Sequence, residues 1–106
     1  MIVEQRDYHV LTGKLPELVR LYADEGIAIQ QEVLGGFIGA FTTDVGALST
    51  YTTIWRYDSY AEREEKRALL QADPRWQEFL AKVQPLMHTQ QNRILVPTSF
   101  SPIGQA

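Results

Sequence analysis

Residues 48–67 constrain the fold most, because they predict a strand that passes directly into a helix. The first ten, Leu48 to Tyr57, are almost all β-branched or aromatic, the types that fit a pleated and partly buried surface. Ser59 and Glu62 then have the spacing of a capping box. In it, the Ser59 side chain accepts from the Glu62 amide and the Glu62 side chain accepts from the Ser59 amide. The sequence therefore predicts a strand over residues 48–57 and a helix that begins after Ser59.

The first third of the chain predicts a strand followed by a long helix. Residues Ile2–Leu11 alternate with mixed polarity, which fits a strand with one face under helices and the other against something polar. Pro16 stands in the first turn of the helix, and Gly35-Gly36 ends it. Gly26 lies inside the helical pattern, so it either permits close packing or marks a bend. The apolar stripe of this helix is Leu15, Leu18, Val19, Tyr22 and Ile29.

A hairpin and an interrupted second helix are predicted downstream. Phe37–Thr43 is a strand whose Gly39 and Ala40 suggest that another backbone or a ligand comes close. Residues 44–47 form the turn of an antiparallel hairpin. Asp73 and Pro74 break the second helix and restart it, with Asp73 as the N-cap.

The last third predicts a helix, a strand and a tail. Pro85 predicts a kink or an early end of the helix. Asn92–Pro97 is the last strand, and the tail Thr98–Ala106 is expected to be extended and to need a partner surface for order. The apolar stripe of the restarted helix is Trp76, Phe79, Leu80, Val83 and Met87.

The predicted order β-α-β-β-α-β is the split βαβ unit of ferredoxin-like α+β folds. It gives a four-stranded antiparallel sheet with helices on one face, in a single domain of 106 residues. The other sheet face is expected to carry aromatic and aliphatic residues, with no element of the chain left to cover it. A second copy is the simplest cover, so the sequence predicts an isologous homodimer in which two sheets close on each other.

Composition and charge exclude several classes of partner and site. A hydrophobic content of 44% without a long apolar run is typical of an ordinary soluble protein and predicts no membrane span. A net charge of −3 with interleaved signs predicts no nucleic-acid partner. The charged amino terminus fits neither a secretory signal nor a transit peptide, so a cytoplasmic location is expected. The lack of cysteine excludes disulfides and thiolate chemistry.

Short motifs along nearly the whole chain resemble the NIPSNAP family. They are Trp55-Arg56-Tyr57-Asp58-Ser59 with Glu62-Arg63, Glu4-Gln5-Arg6-Asp7-Tyr8, Gly36-Phe37-Ile38-Gly39 with Gly46, Asp73-Pro74-Arg75-Trp76 and Pro97-Thr98-Ser99-Phe100-Ser101-Pro102. The resemblance implies the dimeric α/β-barrel fold shared with small antibiotic-biosynthesis-type monooxygenases, muconolactone isomerases and stress-responsive barrel proteins. Members often carry a histidine two residues before the tryptophan, where this chain has Thr53. Any chemical role of that histidine is therefore missing here.

Aromatic residues of the third strand suggest a ligand pocket. Side chains two apart share a strand face, and aromatic walls with a few hydroxyls are usual in small-molecule sites. The alternative is that these rings only fill the core or the dimer interface. The same alternative applies to the two aromatic residues from other elements that could join the pocket. The candidate pocket residues are Tyr8, Tyr51, Trp55, Tyr57 and Trp76.

Two charged or titratable residues are further candidates. Arg63, one turn into the second helix, could bind an anionic ligand or pair with a carboxylate of the first strand, such as Glu4. His9 is a weak candidate for a general base. Neither His9 nor His88 has the spacing of a metal site, so no metal is predicted. No cofactor is predicted either, and haem binding, as in other barrel relatives, would need an axial ligand.

Two functions of different classes follow from these features. The first is a dimeric barrel that binds a small, largely apolar molecule between sheet and helices, with cofactor-independent oxygenase- or isomerase-like chemistry by analogy of fold. The alternative is a non-catalytic homodimeric interaction or scaffold module. An enclosed pocket with a convergent polar group beside Trp55 favours the first, and a filled interior favours the second.

Overall fold

The computed structural model describes residues 1–103 and contains one four-stranded antiparallel sheet. The strands are β1 (Ile2–Val10), β2 (Phe37–Thr42), β3 (Thr50–Tyr57) and β4 (Met87–Leu95). Their order is β2-β3-β1-β4, so the first strand is central and pairs with β3 on one side and β4 on the other. The prediction of a ferredoxin-like α+β fold is confirmed.

The helices cover one face of this sheet. They are α1 (Leu15–Leu21), a π-helical turn (Tyr22–Gly26), α2 (Ile27–Leu34), α3 (Tyr60–Ala72) and α4 (Pro74–Val83). The first three run on without a break, so the predicted long helix is confirmed. Gly26 lies directly against α4, because a Cβ atom there would overlap the ring of Phe79. Close packing is therefore one reason for this glycine.

Local signals set the helix boundaries. The Ser59 side chain accepts from the Glu62 amide at 3.1 Å, as predicted, but the Glu62 carboxylate accepts from the Asp58 amide rather than from that of Ser59. The side chain of Asp73 caps α4 by accepting from the Arg75 amide at 2.9 Å, which confirms the predicted break and restart. Pro85 lies in a 3₁₀ turn, Gln84–Leu86, so the early end of this helix is confirmed.

Two strand boundaries and the tail differ from the prediction. β3 starts at Thr50 rather than at residue 48, because Ser49 has a positive φ of 61°. β4 spans Met87–Leu95 instead of 92–97, because pairing with β1 organises its polar first half, which carries no apolar pattern. The tail is not extended: the Ser101 amide donates to the Thr98 carbonyl at 3.1 Å. The prediction for residues 104–106 lies outside the described residues.

The sheet register assigns each strand residue to a face. Glu4 is opposite Trp55, Arg6 opposite Thr53, and Tyr8 opposite Tyr51. These residues are nearly or completely buried under the helices. The other face, called here the open face, carries the alternate residues, and the prediction that it is aromatic and aliphatic is wrong. Because alternation sends the aromatic rings of β3 inward, the open face is largely polar, with Val3, Phe41, Ile54 and Leu95 as its apolar side chains. Its polar residues are Gln5, Asp7, His9, Thr50, Thr52, Arg56, Thr89, Gln91 and Arg93.

Candidate functional site

Three tyrosine rings meet between the sheet and the helices. The Tyr22 ring centroid lies 4.8 Å from that of Tyr51 and 6.4 Å from that of Tyr8, and the Tyr8 and Tyr51 rings are 6.1 Å apart. Burial, followed by the neighbouring tyrosines, raises the pKa values of Tyr22 and Tyr51. Both hydroxyls are therefore protonated at neutral pH and can donate hydrogen bonds.

A cleft of about 460 Å³ opens beside this tyrosine cluster, between the first long helix and the β2 edge of the sheet. Its walls are mostly apolar, with tyrosine and threonine hydroxyls and one amide as polar groups. A volume of this size lies within the range of small-molecule sites. The lining residues are Val19, Tyr22, Ala23, Ile27, Gln31, Phe37, Ala40, Phe41, Thr42 and Tyr51.

An ionic cluster lies on the same sheet face as the tyrosines. Glu4 is fully buried, and its Oε2 accepts from Arg63 Nη2 at 2.7 Å and from Arg6 Nη1 at 3.1 Å. Arg6 is 7% exposed, and its Nε donates to the Tyr8 hydroxyl at 2.7 Å. The pairing of Arg63 with Glu4, one of two predicted alternatives, is therefore confirmed.

Charge governs the protonation of this cluster. Burial opposes ionisation of Glu4, but the Arg63 hydrogen bond and the charges of Arg6, Arg63 and Arg67 outweigh it and lower the pKa of Glu4. Arg67 lies one helical turn beyond Arg63, and both burial and repulsion by Arg6 lower its pKa. The Arg67 guanidinium therefore lies close to another positive charge, that of Arg6.

Several buried polar atoms in this region have no hydrogen-bond partner among residues 1–103. They include Oε1 of Glu4, the hydroxyls of Thr53 and Tyr57, and Nη1 of Arg67. Thr53 is completely buried opposite Arg6. These groups therefore keep hydrogen-bonding capacity that water or a ligand can use.

The structure brings only some of the predicted pocket residues to the cleft. Among the described residues, Tyr51 is the one candidate that lines it, and Tyr8 lies behind Tyr51. Trp55 is fully buried, with its ring centroid 4.8 Å from that of Phe37. Trp76 is buried and stacks on Phe79 at 5.2 Å. These two tryptophans pack in the core, and Tyr57 lies in the core near the ionic cluster.

His9 lies on the opposite side of the sheet from the tyrosines. Its Nδ1 is 3.1 Å from the Thr50 hydroxyl, and alternation along β1 sends the two neighbouring side chains the other way. The expectation that His9 stands beside the pocket is therefore wrong. No group of three potential ligand side chains suited to a metal ion occurs within residues 1–103. In the same range, no helix has the length and apolarity needed to cross a membrane.

Three residues of this interior were not singled out by the sequence: Tyr22, Arg6 and Arg67. Tyr22 was assigned to an apolar stripe, and its contact with Tyr51 depends on how the first helix crosses the sheet. Arg6 shares a strand face with Glu4 and Tyr8, and Arg67 follows Arg63 at the i,i+4 spacing. These spacings were available signals for a charged interior face.

The chain was compared with known protein families and curated relatives. The profile of the NIPSNAP family matches residues 3–102. Protein NipSnap of Drosophila melanogaster is 33% identical over 101 residues, which cover 95% of this chain and 36% of that protein. Protein NipSnap homolog 1 of Danio rerio is 29% identical over 102 residues, with coverage of 96% and 36%. The chain thus spans about a third of the length of each of these relatives.

Solved structures agree with this similarity. A NIPSNAP family protein from Agrobacterium tumefaciens matches with a TM-score of 0.94 and 46% identity, over 96% of this chain and 97% of that one. A NIPSNAP-like domain protein from Burkholderia xenovorans matches with a TM-score of 0.93 and 45% identity, over 95% and 88% of the two chains. An antibiotic biosynthesis monooxygenase matches at 0.65 with 7% identity, over 92% and 99%. The last likeness shows a shared fold alone.

Proposed function

The chain belongs to the NIPSNAP family, and from that premise we propose that it binds a small, largely apolar molecule between its sheet and its helices. The observation that carries this proposal is the cleft of about 460 Å³ beside Tyr22 and Tyr51. Apolar walls supply the affinity of such a site, and a few polar groups orient the ligand. Here the protonated tyrosine hydroxyls and the Gln31 amide are available for that purpose.

The same proposal includes oxygenase- or isomerase-like chemistry without a cofactor. Its support is the fold shared with an antibiotic biosynthesis monooxygenase, together with three tyrosine rings packed close to one another. Neutral hydroxyls in a poorly hydrated site can donate to an oxygen atom on which negative charge develops. Tyr22 and Tyr51 are the residues proposed for that role, whereas His9 is on the wrong side of the sheet.

The cleft proposal is tested by filling the cleft. Ala23→Leu adds volume at a solvent-exposed position of the cleft wall, so the fold is expected to tolerate it. Ala28→Leu on α2 is the matched control, since Ala28 is exposed and does not line the cleft. Binding of the fluorescent apolar probe 8-anilinonaphthalene-1-sulfonate to the folded wild type is expected to fall at least fivefold in Ala23→Leu and to be unchanged in Ala28→Leu. Equal binding by all three proteins would favour the non-catalytic interaction module.

We also propose that the open face pairs with a second copy of the chain. Phe41 is 52% exposed and Leu95 is 40% exposed. Ile54 is on the same face, on β3, with polar side chains beside it. Such a mixture is typical of an interface with a polar rim and a small apolar centre. Native mass spectrometry of the wild type is expected to show a dimer, and Ile54→Arg a monomer of unchanged far-UV circular dichroism. A monomeric wild type at micromolar concentration would overturn this part.

The cytoplasmic location stays a prediction.

A further inference from the structure

Two pairs of exposed apolar side chains lie just beyond the ends of the sheet. Val96 and Phe100, called here the tail patch, follow β4, and the Phe100 side chain is 86% exposed. Val45 and Leu48, called here the turn patch, lie between β2 and β3, and Val45 is 90% exposed. A single exposed apolar side chain is ordinary, so the position of each pair relative to the open face is what matters.

The two patches stand at diagonally opposite corners of the sheet, whose edge strands are β2 and β4. β4 ends at Leu95, which pairs with Val3 at the start of β1. β2 ends at Thr42, which pairs with Tyr51 near the other end of the sheet. Because β3 has eight residues, the sheet is about 26 Å long. The two patches of one chain are therefore too far apart to contact each other.

The tail patch is continuous with the open face. Val3 belongs to that face and is buried, and it lines a groove of about 270 Å³ together with Leu95, Pro97 and Ile103. The segment after β4 thus lies over one end of the open face. Its apolar side chains extend the surface that a second copy would meet.

The open face by itself is small for a stable dimer. Four strands of six to nine residues cover about 400–600 Å², since strands are about 4.8 Å apart and rise about 3.3 Å per residue. A standard interface buries about 800 Å² on each partner and is anchored by apolar or aromatic side chains. The open face is mostly polar, so both the missing area and the missing anchors are expected beyond the sheet, where the two patches lie.

Charge favours contact between unlike patches. Arg93 lies on the open face of β4 at the corner of the tail patch, and Asp44 is next to Val45 in the turn patch. Both are exposed, and neither has an ion pair within residues 1–103. Contact between like patches would bring two Arg93 side chains, or two Asp44 side chains, towards each other. Contact between unlike patches brings opposite charges together.

We propose that the tail patch of each chain packs on the turn patch of a second copy, with Arg93 near the partner's Asp44. A two-fold axis that runs between the sheets along the other diagonal of the open face makes this contact twice. The strands of the two sheets then cross at nearly a right angle, which is one of the two usual packings of sheets. This inference rests on the proposed pairing of the open faces and adds the contacts at its corners.

Disulfide cross-linking tests the contact, because the chain has no cysteine of its own. A variant with Phe100→Cys and Val45→Cys is expected to form a covalent dimer on mild oxidation, since the two sites of one chain are too far apart for a disulfide. The matched control combines Phe100→Cys with Leu69→Cys, because Leu69 is exposed on α3, on the helix side of the sheet. Denaturing mass spectrometry measures the covalent dimer, and peptide mapping identifies the linked residues.

The Val45 variant is expected to cross-link at least tenfold faster than the control and than Phe100→Cys alone. Cross-linking of Phe100→Cys alone at the rate of the double variant would show tail against tail and overturn the inference. Equally slow cross-linking of all three variants would also overturn it, and a dimeric wild type in native mass spectrometry would then leave the open-face pairing intact. A monomeric wild type would remove both.

Charge reversal is a second test of the same contact. Arg93→Glu and Asp44→Lys are each expected to raise the Kd of the dimer at least fivefold, because each change occurs at two symmetric contacts. The variant with both changes is expected to return to within twofold of the wild type, and Arg20→Glu, at an exposed position of α1, is expected to leave the Kd unchanged. Analytical ultracentrifugation measures the four values. A double variant as weak as the two single changes combined would show that these charges do not meet and overturn the placement.

Discussion

The two faces of the sheet are built from the same strands but have different chemistry. Under the helices, β1 contributes Glu4, Arg6 and Tyr8, which are nearly or completely buried and linked by hydrogen bonds. On the open face, β1 contributes Gln5 and Asp7, which are partly exposed and bond to each other and to Thr52. The covered face therefore places charge where solvation is poor, and the open face places it where solvation is good.

This difference teaches where to look for function in such a fold. Surface polar groups need no explanation, because water satisfies them. Charged groups in the interior do, because each must be offset by a partner or by a ligand. The covered face has both the aromatic cleft and the buried Glu4 with its arginine partners, so it is the face on which a small-molecule site is proposed. The open face has the character of a contact surface.

The largest expected effect is the loss of the central ring of the covered face. Trp55→Ala should lower the free energy of unfolding by about 3–5 kcal/mol, because the fully buried indole would leave a cavity. Phe41→Ala, on the open face, should cost about 1 kcal/mol, since its ring is half exposed. Urea unfolding measures both. A Trp55 variant as stable as the wild type would contradict the contrast between the faces, whereas a larger Phe41 loss that grows with protein concentration would show that a second subunit covers it.

The next effect compares two carboxylates of β1. Glu4→Gln should lower the free energy of unfolding at pH 7 by about 2–3 kcal/mol, because it leaves buried guanidinium groups without a counter-charge. Asp7→Asn should lower it by less than about 1 kcal/mol, since Asp7 is partly exposed and accepts from neutral donors.

The pH dependence of the Glu4 variant has a definite sign. The folded-state pKa of Glu4 is below its ordinary 4.5, so its contribution is complete above that pH and is lost as the pH falls through the folded value. The stability difference between wild type and Glu4→Gln should therefore be constant near neutrality and shrink in acid. Thermal unfolding from pH 7 to pH 3 measures it. A difference that stays constant down to pH 3 would show that Glu4 is not held ionised by the arginines.

The smallest expected effect comes from two glycines that each lie against a phenylalanine ring. Gly26→Ala should destabilise by about 1–3 kcal/mol, because the new methyl group would overlap the buried ring of Phe79. Gly39→Ala places a methyl group 2.9 Å from the ring of Phe41, which is half exposed and free to turn away, so the cost should be below about 1 kcal/mol. Thermal unfolding distinguishes them, and equal costs would mean that both rings are equally confined.

Much of the fold could be predicted because its signals are local. The order of elements, the Asp73 cap and the end of α4 near Pro85 depend on side chains close in sequence. The start of β4 could not be predicted in this way, because its first residues are polar and become a strand by pairing with β1. Gly39 was predicted to lie close to another backbone or a ligand, but the group beside it is the ring of Phe41, two residues along the same strand.

The candidate site was harder to predict because it depends on the register between distant strands. Period-two alternation correctly grouped Tyr51, Trp55 and Tyr57, but did not say which face the helices cover. Arg63 and Glu4 were paired in advance because a carboxylate and a guanidinium in neighbouring elements suggest it. Arg67 was missed, because an arginine on a highly charged helix is expected to be solvated. Its partial burial depends on how α3 packs over β1, which the sequence does not show.

The central place of β1 has a consequence for how this molecule reaches its native state. Val3 pairs with Leu95, so the sheet is complete only when residues from opposite ends of the sequence meet. Pairings of such long sequence separation slow folding, because the entropy cost of closing a large loop comes before any stabilising contact forms. The hairpin of β2 and β3 can form early, but the acidic and basic residues of β1 find their partners last. A refolding experiment should therefore recover secondary structure before it recovers ligand binding.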